Sequence, residues 1–133
     1  MSAVVDASVL VAALLDTGRN GVWAEELLSR RPLYGPELVA VETTNILRRL
    51  ERAKRVTTLE ANSAHQDHQR LNIELYPFLP FADRIWALRH TLTSYDAWYV
   101  AVAEALQLPL ATLDLRLARA KGPACEFLLP GAE

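Results

Sequence analysis

Apolar residues in this chain come in blocks of two lengths. Short runs such as Ala3-Val4-Val5 and Leu110-Ala111-Thr112 read as strands buried on both faces. Longer segments repeat apolar residues every three or four positions and read as helices. In order, the pattern predicts a strand over 2–5, helices over 7–15 and 20–30, a short strand at Leu33 and Tyr34, and a helix over 37–55. A helix over 58–71, a strand over 73–76, helices over 81–92 and 94–107, a strand over 109–112, a helix over 115–120 and a last strand over 126–128 complete it. Pro36 suits the start of the third helix, and Thr57 with Glu60 forms a capping-box pattern at the start of the fourth. Strands alternating with helices predict an α/β fold, with a parallel sheet covered by helices on both faces.

The length of 133 residues and a composition that is half hydrophobic fit one domain over residues 1–133 with a sizeable core. Apolar stretches are too short to span a bilayer, and the N-terminus enters a strand instead of a signal region. The expectation is a cytoplasmic protein with no membrane partner. The lone Cys125 cannot form an internal disulfide and reads as small core filler.

A formal net charge of −2 argues against nucleic-acid binding through overall positive charge. The basic residues are nevertheless clustered: Arg48, Arg49, Arg52, Lys54 and Arg55 end one helix, and Arg116, Arg119 and Lys121 follow Asp114. Such clusters serve either as solvated helix termini or as phosphate contacts. Arg49, Arg52 and Arg116 are the candidates for the second role.

The candidate chemistry lies in four acidic residues, Asp6, Glu42, Asp96 and Asp114. Clustered carboxylates repel one another and are tolerated mainly when a divalent cation neutralises them. Asp6 and Asp114 follow apolar runs, and in a parallel sheet ligands collect outside the carboxyl ends of the strands. Each also precedes a helix and equally suits a plain N-cap. Glu42 falls on a helical face shared with Leu38, Val39, Ile46, Leu50 and Ala53, where a glutamate must be paired, protonated or bound to a cation. Arg49 is the structural partner to weigh against a metal. Asp96 opens a nearly all-apolar helix, but it also fits a capping box with Thr93 and shares an arc with Glu104 and Gln107, so periodicity leaves its role open.

Other features carry less. His65 and His68 have a spacing compatible with zinc but lack a convergent third ligand. Trp86, Tyr95, Trp98 and Tyr99 lie in apolar helices and read as core or subunit-interface residues more than as base-stacking platforms. No Gly-rich phosphate loop is present, and Ser8 has no histidine base near it in sequence.

Four segments together resemble the PIN-domain ribonucleases, and within them the VapC toxins of toxin–antitoxin pairs. They are Val4-Val5-Asp6-Ala7-Ser8-Val9-Leu10, Val41-Glu42-Thr43-Thr44-Asn45-Ile46-Leu47-Arg48-Arg49, Tyr95-Asp96-Ala97-Trp98-Tyr99-Val100-Ala101-Val102-Ala103 and Ala111-Thr112-Leu113-Asp114-Leu115-Arg116-Leu117-Ala118. The resemblance implies a PIN-like three-layer sandwich whose central parallel sheet has the order 3-2-1-4-5. It matches Asp6, Glu42, Asp96 and Asp114 to the family's acidic quartet and Thr112 to its supporting hydroxyl. Asp6, Asp96 and Asp114 would bind magnesium, with manganese as a substitute, and Glu42 would hold a second ion or orient the attacking water. Further implied are an RNA substrate cut to 5′-phosphate and 3′-hydroxyl ends, a cognate VapB-like antitoxin and a homodimer. That antitoxin would lie on a helical hairpin over 37–71 with exposed apolar positions such as Leu47 and Leu59. The alternatives are an antitoxin-free PIN nuclease of RNA processing and a non-catalytic PIN-type interaction domain; the complete quartet disfavours the latter.

Overall fold

The computed structural model describes residues 2–131. Five parallel strands form one sheet: β1 (Ala3–Val5), β2 (Leu33–Pro36), β3 (Ile73–Tyr76), β4 (Leu110–Ala111) and β5 (Phe127–Leu128). Their spatial order is β3-β2-β1-β4-β5, as the resemblance implies. The helices are α1 (Ala7–Leu15), α2 (Arg19–Arg30), α3 (Leu38–Arg52), α4 (Thr58–Arg70), α5 (Ala82–Ala87), α6 (Ser94–Leu106) and α7 (Leu115–Ala118). None of the described helices is long and apolar enough to cross a membrane.

The short apolar runs became the centre of the sheet because nothing in them needs water. Ala3, Val4, Val5, Leu110 and Ala111 are completely buried, and their backbone groups are satisfied by the neighbouring strands. The central helix α6 packs on β1, β2 and β4 and buries Ala97, Tyr99 and the run Val100 to Ala103. On the helical side, α1 packs against α2, α3 and α4. Gly21 permits the approach of α2 to α1, since a Cβ there would lie 1.6 Å from the Asp16 carbonyl oxygen.

Several boundaries differ from the sequence pattern, with identifiable causes. Helix α3 ends at Arg52 instead of 55, and Lys54 adopts the left-handed conformation (φ 57°) that terminates it. The segment 81–92 divides into a 3₁₀ turn over Leu79–Phe81, the short α5, and turns to Leu92. Along α3 the buried residues are Val39, Thr43 and Leu47, not the expected stripe through Ile46, Leu50 and Ala53. Glu42 therefore sits beside the buried stripe, half-exposed, instead of within it. Leu47, expected to be exposed, is 4% accessible, whereas Leu59 is indeed 79% exposed.

Candidate active site

The order β2-β1-β4 makes β1 the point from which the chain connects in both directions, the position where parallel sheets open a crevice at their carboxyl ends. Register fixes what meets there. Val5 pairs with Ala111, so the residues that follow them, Asp6 and Thr112, emerge side by side.

Asp6 is the N-cap of α1. Its Oδ1 accepts from the Val9 amide at 3.2 Å and from the Ser8 hydroxyl at 2.5 Å, and its Oδ2 accepts from the Thr112 hydroxyl. The side chain is nearly buried, with 7% of the residue accessible. Burial pushes its pKa up to about 6 even though these donors act in the opposite direction. Thr112 Oγ1 also accepts the Asp114 amide at 2.9 Å, and Ser8 Oγ accepts the Leu113 amide at 3.1 Å. Two hydroxyls thus stitch the end of β1 to the turn after β4.

Asp114 caps α7, its Oδ1 accepting from the amides of Arg116 at 2.9 Å and Leu117 at 3.3 Å. Cap and cleft are therefore not competing readings for Asp6 and Asp114; both residues fill both positions. Asp96 stands in the first turn of α6, its amide donating to Thr93 Oγ1 at 3.1 Å. Its pKa is raised, first by burial and then by the charge of Asp114, against a smaller opposing effect of Arg116. Glu104, which shares Asp96's helical arc, is otherwise engaged: it pairs with Arg84 at 2.6 Å and accepts from the Ala124 amide at 2.7 Å.

Glu42 comes from α3. Its Oε1 accepts from the Tyr99 hydroxyl at 2.5 Å, and among the described residues it has no ion pair with Arg49. Burial and then the Glu42 carboxylate raise the pKa of Tyr99, so the phenol remains a donor.

All four acids line one cavity of about 280 Å³, together with Ala7, Ser8, Asn45, Ile46, Arg49 and Tyr99. A larger cleft of about 1020 Å³ lies between α2 and the C-terminal segment and is lined by Arg19, Trp23, Glu26 and Arg31 among others. It has one acidic residue, Glu26, against the four of the smaller cavity, so the smaller cavity is the better candidate for chemistry that needs convergent carboxylates.

A divalent cation suits the donors of this cavity, which are hard carboxylate oxygens without a thiol or imidazole. The raised pKa values of Asp6 and Asp96 are compatible with this: burial is the main cause of both, the charge of Asp114 adds to it at Asp96, and a cation would offset the resulting cost of ionisation. Among the described residues, however, no three acidic, histidine or cysteine side chains stand close enough to grip one ion as they are. Hydrogen bonds within the protein engage both oxygens of Asp6 but, among the described residues, only one oxygen each of Glu42 and Asp114.

Of the three arginine candidates, Arg49 lines the cavity. Arg116 is at its edge, its Nε 3.9 Å from Asp114 Oδ1 with the side chain otherwise exposed. Arg52 is exposed and outside the lining. His68 is a buried histidine whose Nδ1 lacks a partner and whose pKa is lowered by burial, while His65 is exposed; they do not form a ligand pair. Of the aromatics, Trp86 is 66% exposed and Tyr95 63% exposed, so neither belongs to the core.

Sequence reasoning missed Ser8 and Tyr99 as site residues. The sequence offers the first only as a nucleophile and the second only as a core, subunit-interface or base-stacking residue. Their spacing held a usable signal, since Ser8 follows Asp6 by two residues at a strand end and Tyr99 follows Asp96 by three on one helical face.

A family model described as PIN domain matches residues 3–123. Ribonuclease VapC9 of Mycobacterium tuberculosis is 43% identical over 114 residues, covering 86% of this chain and 87% of the relative. Ribonuclease VapC1 of the same organism is 38% identical over 127 residues, 95% of this chain and 96% of the relative. In fold, the chain is similar to VapBC2 from Rickettsia felis, solved bound to a DNA fragment from their promoter, with a TM-score of 0.67 at 15% identity over 97% of this chain and 98% of that one. The acidic cavity at the end of β1 and the extent of these similarities agree: this chain belongs to the PIN-domain family and, within it, to the VapC ribonucleases.

Proposed function

We propose that this protein is a magnesium-dependent endoribonuclease and the toxin of a toxin–antitoxin pair. The observation that carries the reading is the convergence of Asp6, Glu42, Asp96 and Asp114, from four separate segments, on one cavity. Membership of a family whose members are named ribonucleases supports RNA as the substrate.

Asp6, Asp96 and Asp114 would hold the cation, with manganese as a substitute for magnesium. When bound, that cation supplies Lewis-acid polarisation of the phosphodiester and acidification of water. Glu42 orients the attacking water or contributes to a second ion. Thr112 and Ser8 keep the Asp6 carboxylate at the mouth of the sheet, and Arg49, inside the cavity, meets the phosphate of the incoming strand. Asp6 and Asp96 accept the cost of burial because the cation's charge offsets it.

The biochemical test is cleavage of RNA by purified protein in magnesium. Asp6→Asn and Asp96→Asn keep volume and remove charge, and each is expected to lower the rate at least about a hundredfold by removing a cation ligand. Cleavage by the double variant at the wild-type rate would refute the assignment. The cellular test is expression: the wild type alone should arrest growth, the Asp6→Asn variant should not, and co-expression of a small VapB-like antitoxin should relieve the arrest. A harmless wild type sinks the toxin reading while leaving the nuclease reading to the first test.

A further inference from the structure

Tyr99 is 1% exposed, and its hydroxyl lies 2.5 Å from Glu42 Oε1. A buried hydroxyl must find a partner, and phenylalanine would fill the same space without that requirement. Here the partner is an acid that lines the cavity, carried by a different helix and 57 positions away in sequence. Tyr99 is also one turn beyond Asp96 on α6. One hydrogen bond therefore joins the two helices that contribute Glu42 and Asp96.

We propose that Tyr99 is a positioning residue for the reaction, its hydroxyl holding one carboxylate oxygen of Glu42 so that the other is left to receive water or cation. This rests on the nuclease reading of the cavity. Glutamate has three rotatable side-chain bonds, and half-exposed Glu42 would otherwise distribute among several rotamers. Among the described residues, Glu42 has no other side-chain hydrogen bond and no ion pair. The arginine that would serve this purpose in sequence reasoning, Arg49, is not bonded to it. Hydrogen bonds to an ionised acceptor are the stronger kind, and a donor fixed by packing holds the carboxylate without adding a positive charge that would compete with a cation.

The test is a double-mutant cycle on the intact protein with wild type, Tyr99→Phe, Glu42→Gln and the double variant. Cleavage of an RNA oligonucleotide gives kcat and KM, and calorimetric titration with manganese gives affinity without cleavage. Tyr99→Phe is expected to lower kcat roughly tenfold to a hundredfold through misplacement of the carboxylate, with KM changed less than about twofold. It should weaken manganese binding several-fold. In the Glu42→Gln background the same substitution should change neither quantity.

Equal losses in both backgrounds, or wild-type kcat and affinity in Tyr99→Phe, would overturn the proposal by assigning the hydroxyl to packing alone. Should Tyr99→Phe melt below the assay temperature, Glu42→Asp withdraws the carboxylate by one methylene and leaves the core intact. It is expected to lose kcat to the same degree, and full kcat there would also overturn the proposal. A wild type that binds manganese yet leaves RNA intact would count against the nuclease reading, and the coupling in manganese affinity would then decide on Tyr99 by itself.

Discussion

Thr112 donates its hydroxyl proton to Asp6 Oδ2 across the pairing of β1 and β4. The same oxygen accepts the Asp114 amide, so one fully buried side chain organises both strand ends. Thr112→Val keeps shape and removes both bonds. It should destabilise the protein by about 2–4 kcal/mol, since it leaves one buried carboxylate oxygen, Asp6 Oδ2, and a partly buried amide without a partner, and Thr112→Ser should recover most of the loss. Urea denaturation of the three forms measures this; equal stability of the Val variant and the wild type would contradict the arrangement.

The burial of Asp6 makes metal-free stability depend on pH. Its folded pKa of about 6 lies above the ordinary 3.8, so the folded state binds the proton more tightly. The resulting advantage is complete below the unfolded value and is lost as pH rises through the folded one. Between about pH 4 and pH 6 the wild type should lose about 3 kcal/mol relative to Asp6→Asn. Above that window, without divalent cations, the Asn variant should be the more stable. Thermal melts in chelator across pH 4–8 test the sign, and parallel curves for the two proteins would exclude it.

Gly21 predicts a defect far from the cavity. With Ala at this position the added methyl would meet the Asp16 carbonyl, which is backbone and cannot swing aside. Forced separation of α1 and α2 should cost about 1–3 kcal/mol, despite the better helix propensity of alanine. A Gly21→Ala protein as stable as the wild type would show that the two helices can slide apart freely.

Arg49 and Arg52 are neighbours in sequence but not in environment: one lines the cavity and the other is outside it. If RNA enters this cavity, Arg49→Gln should reduce the slope of log affinity against log salt by about 0.7, the value for one phosphate contact on a single strand. Arg52→Gln should leave the slope unchanged. Binding of an uncleavable RNA at several salt concentrations distinguishes them; the opposite pattern would move the RNA path to the outer face of α3.

The sheet was legible from its strands because full burial on both faces leaves uninterrupted apolar runs, and β1 and β4 are such runs. Their acidic followers, Asp6 and Asp114, could be located for the same reason. The family pattern added the strand order and Asp96, for which helical periodicity was silent. The orientation of α3 was misread because its buried stripe includes Thr43, a polar residue at 0% exposure that hydropathy counts against burial. The end of α3 was misread because Lys54 takes a left-handed turn that sequence usually signals with glycine. The bond between Tyr99 and Glu42 had no local signature at all, since it depends on how α6 crosses α3 in space.

Because Asp6 and Asp114 each start a helix as well as line the cavity, the evolutionary routes by which this chain could fall silent are restricted. Alanine at either place would forfeit a helix cap, a loss of about 1 kcal/mol, along with the charge. Asparagine caps a helix as well as aspartate does, so it separates the two properties in a single step. Descendants that kept the fold after abandoning the chemistry should therefore carry asparagine at these positions more often than alanine, and at Glu42, which caps nothing, no such bias is expected.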